Sequence, residues 1–504
     1  MSGVDEPAVD DGDPGGVRRL AGQIRATGGC SCPVRLVGRV DQVDRTSGEI
    51  RSGYSTVAEP GGVLRVRCNN RRATVCPSCS RTYKGDARQI IVAGVSGGRK
   101  GVPDTVAGHP ALFVTVTAPS FGPVHSRRVP HGGVARVCRP RRGDCVHGLP
   151  RGCLVRHNGD DPRLGEALCP DCYDYGGHVL WNTFAARLWK RTRDGVESAL
   201  ARAAGLSVAG LRRVVRVTFC KVAEMQARGL VHFHAVVRID GRGEDPDDFA
   251  APPEWATGAL LADTLARVIA TVELVCPDPR TVLGVTGGGT VTGGDGSVER
   301  DTDAAGAGVM VVRWGVQVDI RPIGSGGTAT PDAVGNYIAK YATKSVDDGG
   351  RLDRPVRSLA QLELLGLRGH ARRLVATCWR LGGWDGFAAA VDQAANRQPC
   401  GRSGLRRWAH SFGFGGHWLT KSRRYSTTFG ALRAARRRYN QAGRFPDGVP
   451  RDAWGRPEVD GAVEHVGYWR FAGVGHHGDV ERFLADAVRE RADDCDGGTW
   501  SAGP

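Results

Sequence analysis

Near its middle the chain reads VVRVTFCKVAEMQ (214–226), followed after ARG (227–229) by LVHFHAVVRI (230–239). Apolar and polar residues alternate in both runs, and the short link contains glycine, which is typical of a β-hairpin. Residues two apart on a strand share a face, so His232 and His234 point to one side and Phe233 to the other. A three-residue turn would place Glu224 directly opposite His232, on the same face.

These side chains predict a metal site. Two imidazoles and a carboxylate can hold a divalent cation that still accepts substrate oxygens, with Gln226 as a reserve ligand. The alternative is a half-exposed strand whose two histidines are purely structural, because short H-x-H patterns also arise by chance.

A second motif strengthens the catalytic interpretation. Thr330, Pro331 and Asp332 supply an N-cap, a proline at the first helical position and an acid in the first turn, so we expect a helix to about Lys344. In the sequence NYIAKYATK (336–344), one helix face carries two tyrosines and a lysine, and a second lysine borders it; these are Tyr337, Tyr341, Lys344 and Lys340. A tyrosine can attack a phosphodiester and form a covalent phosphotyrosine. Alternatively, the tyrosines pack against the helix's neighbours and the lysines reach past them to solvent.

Three segments resemble, in chain order, the motifs of HUH rolling-circle replication initiators, the last in its two-tyrosine form: FVTVTA (113–118), HFH (232–234) and YIAKYATK (337–344). The chain resembles the initiators of actinomycete plasmids and integrative elements more closely, in CPSCSRTYK (76–84), LCPDCYDY (168–175), GLVHFHA (229–235) and KSRRYST (421–427). This resemblance covers roughly residues 26–440. One departure is that about 115 residues separate the first two motifs, so the core should carry an insertion.

The resemblance implies an α+β, HUH endonuclease-like core with a central antiparallel sheet. It implies a site-specific single-strand DNA endonuclease and strand transferase that uses Mg²⁺ or Mn²⁺, with His232, His234 and Glu224 as ligands. Tyr337 or Tyr341 would form a 5′-phosphotyrosine and leave a free 3′-OH for a host polymerase, and Lys340 and Lys344 would assist with charge. The same chemistry would rejoin strands at termination. The match does not decide which tyrosine attacks first.

Ten of the fifteen cysteines cluster in two stretches, which indicates metal sites rather than a disulfide framework. In the first, Cys76 and Cys79 form a C-x-x-C pair, with Cys68 and either Cys30 or Cys32 completing a set of four. The second offers seven donors, Cys138, Cys145, His147, Cys153, His157, Cys169 and Cys172. The preferred set there is Cys145, Cys153, Cys169 and Cys172, with the histidines as substitutes. Filled four-ligand shells are structural, so we expect one or two structural Zn²⁺ sites; the alternative is that the thiols merely cluster.

A basic and aromatic region follows. Residues 401–440 contain ten Lys or Arg residues and no acid, which favours a surface for single-stranded or melted DNA. The candidates are Arg406, Arg407, Trp418, Lys421, Arg423, Arg424 and Tyr425. Alternatively, this is an ordinary basic face inflated by arginine bias, since the chain has 62 Arg and seven Lys. No phosphate-binding G-x-x-x-x-G-K-[ST] occurs, so unwinding would need a host helicase.

Composition limits the remaining classes. The 504 residues carry a net charge of +16 and a pI near 9.5, which suits a polyanionic partner such as origin DNA. No apolar run is long enough to span a membrane, and the acidic N-terminus is unlike a secretory signal, so we expect a cytoplasmic protein. The predicted organisation is a disordered acidic tail (1–25), a Cys-rich zinc module (26–105), a catalytic domain (106–345) with a Cys/His-rich insertion (136–175) and a flexible loop (284–307), a basic DNA-binding region (346–475) and a polar tail (476–504).

Two other functions fit parts of this pattern. A relaxase or transposase would use the same chemistry on a different DNA site. A zinc-containing DNA-binding regulator would keep the H-x-H pair as structure and would lose nothing when Tyr337 and Tyr341 become Phe.

Overall fold

The computed structural model of the chain describes residues 14–130, 133–244, 248–283, 308–324, 330–342, 355–395, 403–444 and 463–496. The predicted flexible loop, 284–307, lies outside these residues. The fold mixes helices with antiparallel sheets, as expected for an α+β protein. The chain divides into two compact units, one of residues 1–88 with 428–504 and one of residues 89–427.

The strands are β1 (Val34–Asp44), β2 (Ile50–Ser55), β3 (Leu64–Val66), β4 (Ala111–Val116), β5 (Val215–Met225), β6 (Val231–Gly241), β7 (Glu273–Pro277), β8 (Val309–Arg313), β9 (Val318–Pro322), β10 (Leu419–Lys421) and β11 (Val463–Val474). The helices are α1 (Pro14–Ala26), α2 (Pro77–Ser96), α3 (Tyr175–Ala203), α4 (Val208–Val214), α5 (Gly258–Thr271), α6 (Arg280–Leu283), α7 (Pro331–Ala342), α8 (Gln361–Leu364), α9 (Gly369–Leu381), α10 (Asp385–Ala394), α11 (Gly404–Arg407), α12 (Phe429–Arg444) and α13 (Gly478–Asp496). Among the helices described, none is long and apolar enough to cross a membrane.

The first unit is built from both ends of the chain. β1 pairs antiparallel with β11, β2 and β3, with Val34 opposite Val474. Leu20 and Ile24 of α1 are buried together with Ala485 of α13. A buried ion pair joins Arg65 to Glu481, with Arg65 Nε 3.2 Å from Glu481 Oε2.

The predictions for both tails are therefore wrong over the described residues. We expected 1–25 to be a solvated acidic tail, but α1 starts at Pro14 and buries its apolar stripe. We expected 476–504 to be a polar tail, but α13 occupies Gly478–Asp496. In both cases the few apolar residues lie at helical spacing, and each helix supplies the surface that the other needs.

The second unit contains the predicted central antiparallel sheet, with strand order β10-β5-β6-β4-β9. One face of the sheet is covered by α3, whose buried residues join those of β4, β5 and β6 in one hydrophobic cluster. Phe233 is fully buried there, and its ring lies 6.2 Å from that of Trp189. The opposite face carries His232, His234 and Glu224.

The predicted domain boundaries differ from the observed ones at two places. We expected 346–475 to form one basic region, but β10 pairs with β5 in the central sheet, whereas β11 belongs to the first unit. The zinc module predicted over 26–105 also divides, because the boundary falls at Arg88, within α2. Strand pairing between residues far apart in sequence places β10 and β11 in different units, and composition does not reveal it.

Candidate functional site: a hairpin beside a tyrosine helix

The β5–β6 hairpin has the predicted register. Glu224 lies directly opposite His232, and Met225 lies opposite Val231. The turn closes with the Gln226 amide donating to the Leu230 carbonyl over 2.9 Å. Gly229 has a φ of +84°, and a Cβ there would lie 2.9 Å from atoms of Leu374 and Phe412, so this position requires glycine. The strands therefore bring a carboxylate and two imidazoles to one face.

Contacts orient each imidazole. Thr115 of β4 lies directly opposite His234, and its Oγ1 is 3.0 Å from His234 Nδ1. The other ring nitrogen, His234 Nε2, is 3.2 Å from Glu224 Oε2. His232 Nδ1 lies 3.1 Å from Gln226 Nε2, and the two imidazole centroids are 4.5 Å apart. Glu224 thus contacts His234, and Gln226 orients His232.

The tyrosine helix lies beside this face. The Tyr337 ring stands edge-on to the His234 ring, with centroids 5.2 Å apart, and to the Phe113 ring at 5.6 Å. Tyr337 is 44% exposed, so its ring is anchored while part of the residue stays accessible. Lys340 is exposed on the same helix. Tyr341 follows within α7, whereas Lys344 lies outside the described residues.

Residues that the sequence analysis missed hold the hairpin turn. His178 Nε2 lies 3.0 Å from the Gly229 carbonyl, and Asn182 Nδ2 donates to the same carbonyl over 2.9 Å. Asn182 Oδ1 accepts from the Val231 amide at 3.0 Å. His370 Nε2 lies 3.0 Å from the Arg228 carbonyl. The only sign of this role in the sequence is that His178 and Asn182 are polar residues on the apolar face of α3.

The two histidines that hold the turn are buried as neutral rings. Desolvation by burial lowers the pKa of His178 well below its ordinary value and lowers the pKa of His370 to about 4. A neutral imidazole has one donor and one acceptor. His178 can therefore donate from Nε2 to Gly229 while its Nδ1, 2.9 Å from Tyr173 Oη, accepts from the phenol.

The N-terminal cysteines meet as predicted. Cys30, Cys68, Cys76 and Cys79 bring their sulfurs within 4.8 Å of one another, whereas Cys32 is not in this group. The sulfurs of Cys76 and Cys79 each lie 3.7 Å from that of Cys30, too far for a disulfide. Contact with Cys30 lowers the pKa of Cys79 to about 6, which favours a thiolate. This all-cysteine cluster can hold a structural zinc ion.

The second stretch forms two clusters instead of one, so the preferred quartet is wrong in one member. Cys145, Cys169 and Cys172 converge with His147, whereas Cys153 belongs to a separate group with His125, Cys138 and His157. His125 lies upstream of the stretch that was singled out, and the sequence analysis missed it. Within the described residues, three Cys/His groups bring their donor atoms within 4.8 Å, and the hairpin residues are not one of these groups.

The basic region matches its prediction only partly. Tyr425 is fully buried and donates from Oη to the Ile91 carbonyl over 3.0 Å, so it offers no face for stacking a base. Lys421 Nζ donates to the Ser426 carbonyl at 2.9 Å. The Arg406 guanidinium lies 5.0 Å from the Trp379 ring centroid. Trp418 packs against Phe414, with centroids 5.2 Å apart.

Three predicted arginines differ in exposure. Arg407 and Arg423 are exposed, and Arg424 is partly buried. Phe412 and Phe414 are also buried, so these aromatic residues pack in the hydrophobic core and do not form a DNA-binding surface. Stacking of bases on Tyr425 is therefore excluded, and the exposed guanidinium groups remain as candidate phosphate contacts.

Comparison with known proteins identifies the family of this chain. The family model described as "RepSA: Replication initiator protein, pSAM2" matches residues 16–490. A replication initiator protein from Streptomyces ambofaciens is 40% identical over 462 residues, which cover 91% of this chain and 87% of that protein. No solved structure matches the chain. The chain therefore belongs to the RepSA family of replication initiator proteins, whose partner is DNA.

Proposed function

We propose that this initiator nicks one strand at a replication origin by tyrosine attack and starts rolling-circle replication from the nick. The observation that carries the proposal is the position of Tyr337, whose ring lies 5.2 Å from that of His234 and remains partly exposed. A partly exposed phenol beside two imidazoles and a carboxylate on one face of the sheet suits phosphodiester transfer.

The hairpin residues fit a divalent cation. If His234 donates from Nδ1 to Thr115, its Nε2 is free of a proton and lies 3.2 Å from Glu224 Oε2. Neighbouring ligands of an octahedral ion with bonds of about 2.1 Å are about 3.0 Å apart, close to this separation. His234, Glu224 and His232 would hold Mg²⁺ or Mn²⁺, which when bound neutralises phosphate charge and polarises phosphorus.

The side chains of the protein carry the transfer itself. Tyr337 Oη loses its proton and forms a bond to phosphorus, and the bond between phosphorus and the 3′ oxygen breaks. The 3′ oxygen is then protonated, which leaves a 5′-phosphotyrosine and a free 3′-OH for a host polymerase. Tyr341 follows on the same helix and would perform the second transfer that rejoins strands at termination. Lys340 supplies positive charge near the scissile phosphate, and Lys344 is proposed for the same role.

The exposed arginines suit the substrate. Arg407 and Arg423 can contact phosphates without sequence preference, whereas the tyrosine face performs the chemistry. A host helicase would extend the melted region.

Denaturing electrophoresis tests the proposal. Purified protein would be incubated with Mn²⁺ and labelled single-stranded origin DNA, using wild type, Tyr337→Phe, Tyr341→Phe and the double variant. We expect label to stay on the wild-type protein, to require the metal and to vanish in the double variant. Tyr439→Phe is the matched control because Tyr439 is an exposed tyrosine on α12, which belongs to the other compact unit.

The single variants assign the first attack. Loss of the adduct in Tyr337→Phe alone identifies Tyr337 as the initiating nucleophile. If wild-type protein binds every origin fragment tightly but forms no adduct, the nicking proposal fails, and the chain acts as a zinc-containing DNA-binding protein. If it cleaves only a transfer origin or a transposon end, it is a relaxase or transposase.

A further inference from the structure

We propose that residues 125–172 form a cross-braced module that binds two zinc ions, one of them at His125, Cys138, Cys153 and His157. This site contains two thiols and two imidazoles and is separate from the hairpin. Together with the all-cysteine cluster, the proposal assigns three zinc ions to the chain.

The donor spacings match the edges of a zinc tetrahedron. With zinc–sulfur bonds near 2.3 Å and zinc–nitrogen bonds near 2.0 Å, the edges are about 3.8 Å (S–S), about 3.5 Å (S–N) and about 3.3 Å (N–N). In the His125 site, Cys153 Sγ is 3.5 Å from His157 Nε2, and His125 Nδ1 is 3.2 Å from the same nitrogen.

The neighbouring site has similar dimensions. His147 Nδ1 lies 3.2 Å from Cys172 Sγ and 3.6 Å from Cys169 Sγ. Cys145 completes this group of three thiols and one imidazole. Thiolate and imidazole together select zinc over magnesium or calcium, and four protein ligands leave no open position, so both sites are structural.

A carboxylate behind one ligand supports the His125 site. His157 is 1% exposed, and its Nδ1 lies 2.6 Å from Asp161 Oδ2. Arg163 in turn donates from Nη2 to the same carboxylate over 2.8 Å. A carboxylate on one ring nitrogen fixes the proton there and directs the other nitrogen toward a metal, an arrangement typical of zinc-bound histidines.

The segment has little else to hold it together. Between the end of β4 at Val116 and the start of α3 at Tyr175, the described residues form no helix or strand, only isolated bridges such as Arg139 with Cys153. Val134, Val146 and Leu154 are exposed, so the segment lacks a hydrophobic core of its own. Segments of this kind need metal ions or disulfides for stability, and the cysteines here are free thiols.

The order of the ligands links the two sites. Along the chain, two ligands of the His125 site are followed by two of the Cys145 site, then two of the first again and two of the second; the order is 125, 138, 145, 147, 153, 157, 169 and 172. Each site therefore closes a loop that contains ligands of the other. Zinc binding at either site already restricts the chain around the other site, so less conformational entropy is lost when the second ion binds. The two sites should therefore bind zinc cooperatively.

Native mass spectrometry of the full-length protein provides the first test. We expect three zinc ions per chain in wild type and a loss in Cys138→Ser. Cys276→Ser is the matched control because Cys276 is buried but lies in none of the three clusters, and it should keep three ions. Replacing zinc with Co²⁺ checks the ligand sets, because the intensity of the thiolate-to-cobalt absorbance depends on the number of thiolate ligands. The total intensity should be that expected for three sites with four, three and two thiolates.

A milder variant keeps the test informative if Cys138→Ser fails to fold. Asp161→Asn should weaken zinc binding by about 10–100-fold in a chelator competition. Asp160→Asn, at the exposed neighbouring aspartate, should have no effect. Two ions in wild type, with the count unchanged in Cys138→Ser, would overturn the His125 site. If Asp161→Asn leaves zinc affinity at the Cys145 site unchanged, the cross-brace is wrong.

Discussion

The β5–β6 hairpin and the Cys/His segment before α3 both present chemically active side chains, but they position them differently. In the hairpin, strand register places Glu224 opposite His232, and three buried side chains hold the turn. In the segment, the donor atoms lie on loops and meet one another across up to 32 residues, as His125 and His157 do. Backbone pairing thus forms one site, whereas ligand convergence forms the other.

The largest effect is expected where the hairpin depends on α3. Asn182→Ala would remove the donor to the Gly229 and Phe412 carbonyls and the acceptor for the Val231 amide, all in buried surroundings. Leaving such groups unsatisfied should lower the free energy of unfolding by about 3 kcal/mol. Urea unfolding measures the change, with exposed Arg202→Ala of the same helix as control. Equal urea unfolding midpoints for both variants would show that the turn is stable without the hydrogen bonds of Asn182.

A buried lysine on the opposite face of the hairpin should make the stability of the protein depend on pH. Lys221 is buried with its Nζ 3.6 Å from the Phe233 ring centroid, and burial lowers its pKa to about 7. Between this pKa and the ordinary value, the unfolded chain binds more protons, so stability should rise with pH by about 2 kcal/mol from pH 7 to 8.5.

Lys221→Met should remove that rise, and Lys190→Met, at an exposed lysine, should preserve it. Chemical unfolding of the three proteins across this pH range measures how the free energy of unfolding of each changes with pH. Parallel curves for wild type and Lys221→Met would mean that Lys221 remains charged when folded.

The smallest effect concerns the place where the two regions meet. Gly165 has a φ of +88°, and a Cβ there would lie 2.5 Å from the Ala227 carbonyl oxygen in the hairpin turn. Gly165→Ala should therefore destabilise the protein by about 1–2 kcal/mol and reduce adduct formation while zinc content stays constant. Gly159→Ala is the control because its Cβ would enter open space. Loss of zinc in Gly165→Ala would show that the segment itself, and not its contact with the turn, was disturbed.

Sequence patterns predicted the features that follow local periodicity. Alternation identified the hairpin and its register, capping residues identified the start of α7, and the C-x-x-C spacing identified the all-cysteine cluster. These patterns did not predict that His125 and Cys153 belong to one metal-binding cluster, because loops that converge in space show no periodicity in the sequence. They also misassigned Tyr425, since aromatic residues of the core and of a DNA surface have the same composition.

The pairing of β1 with β11 has a consequence for synthesis on the ribosome. Residues 89–427 can complete their sheet while the C-terminus is still being made, whereas β1 pairs early with β2 and β3 but gains its β11 partner only once Val474 has been made. The first unit is therefore finished last, although its N-terminal half emerges first. A translation product truncated before β11 could not complete this unit, so assembly of the unit requires synthesis to proceed through α13.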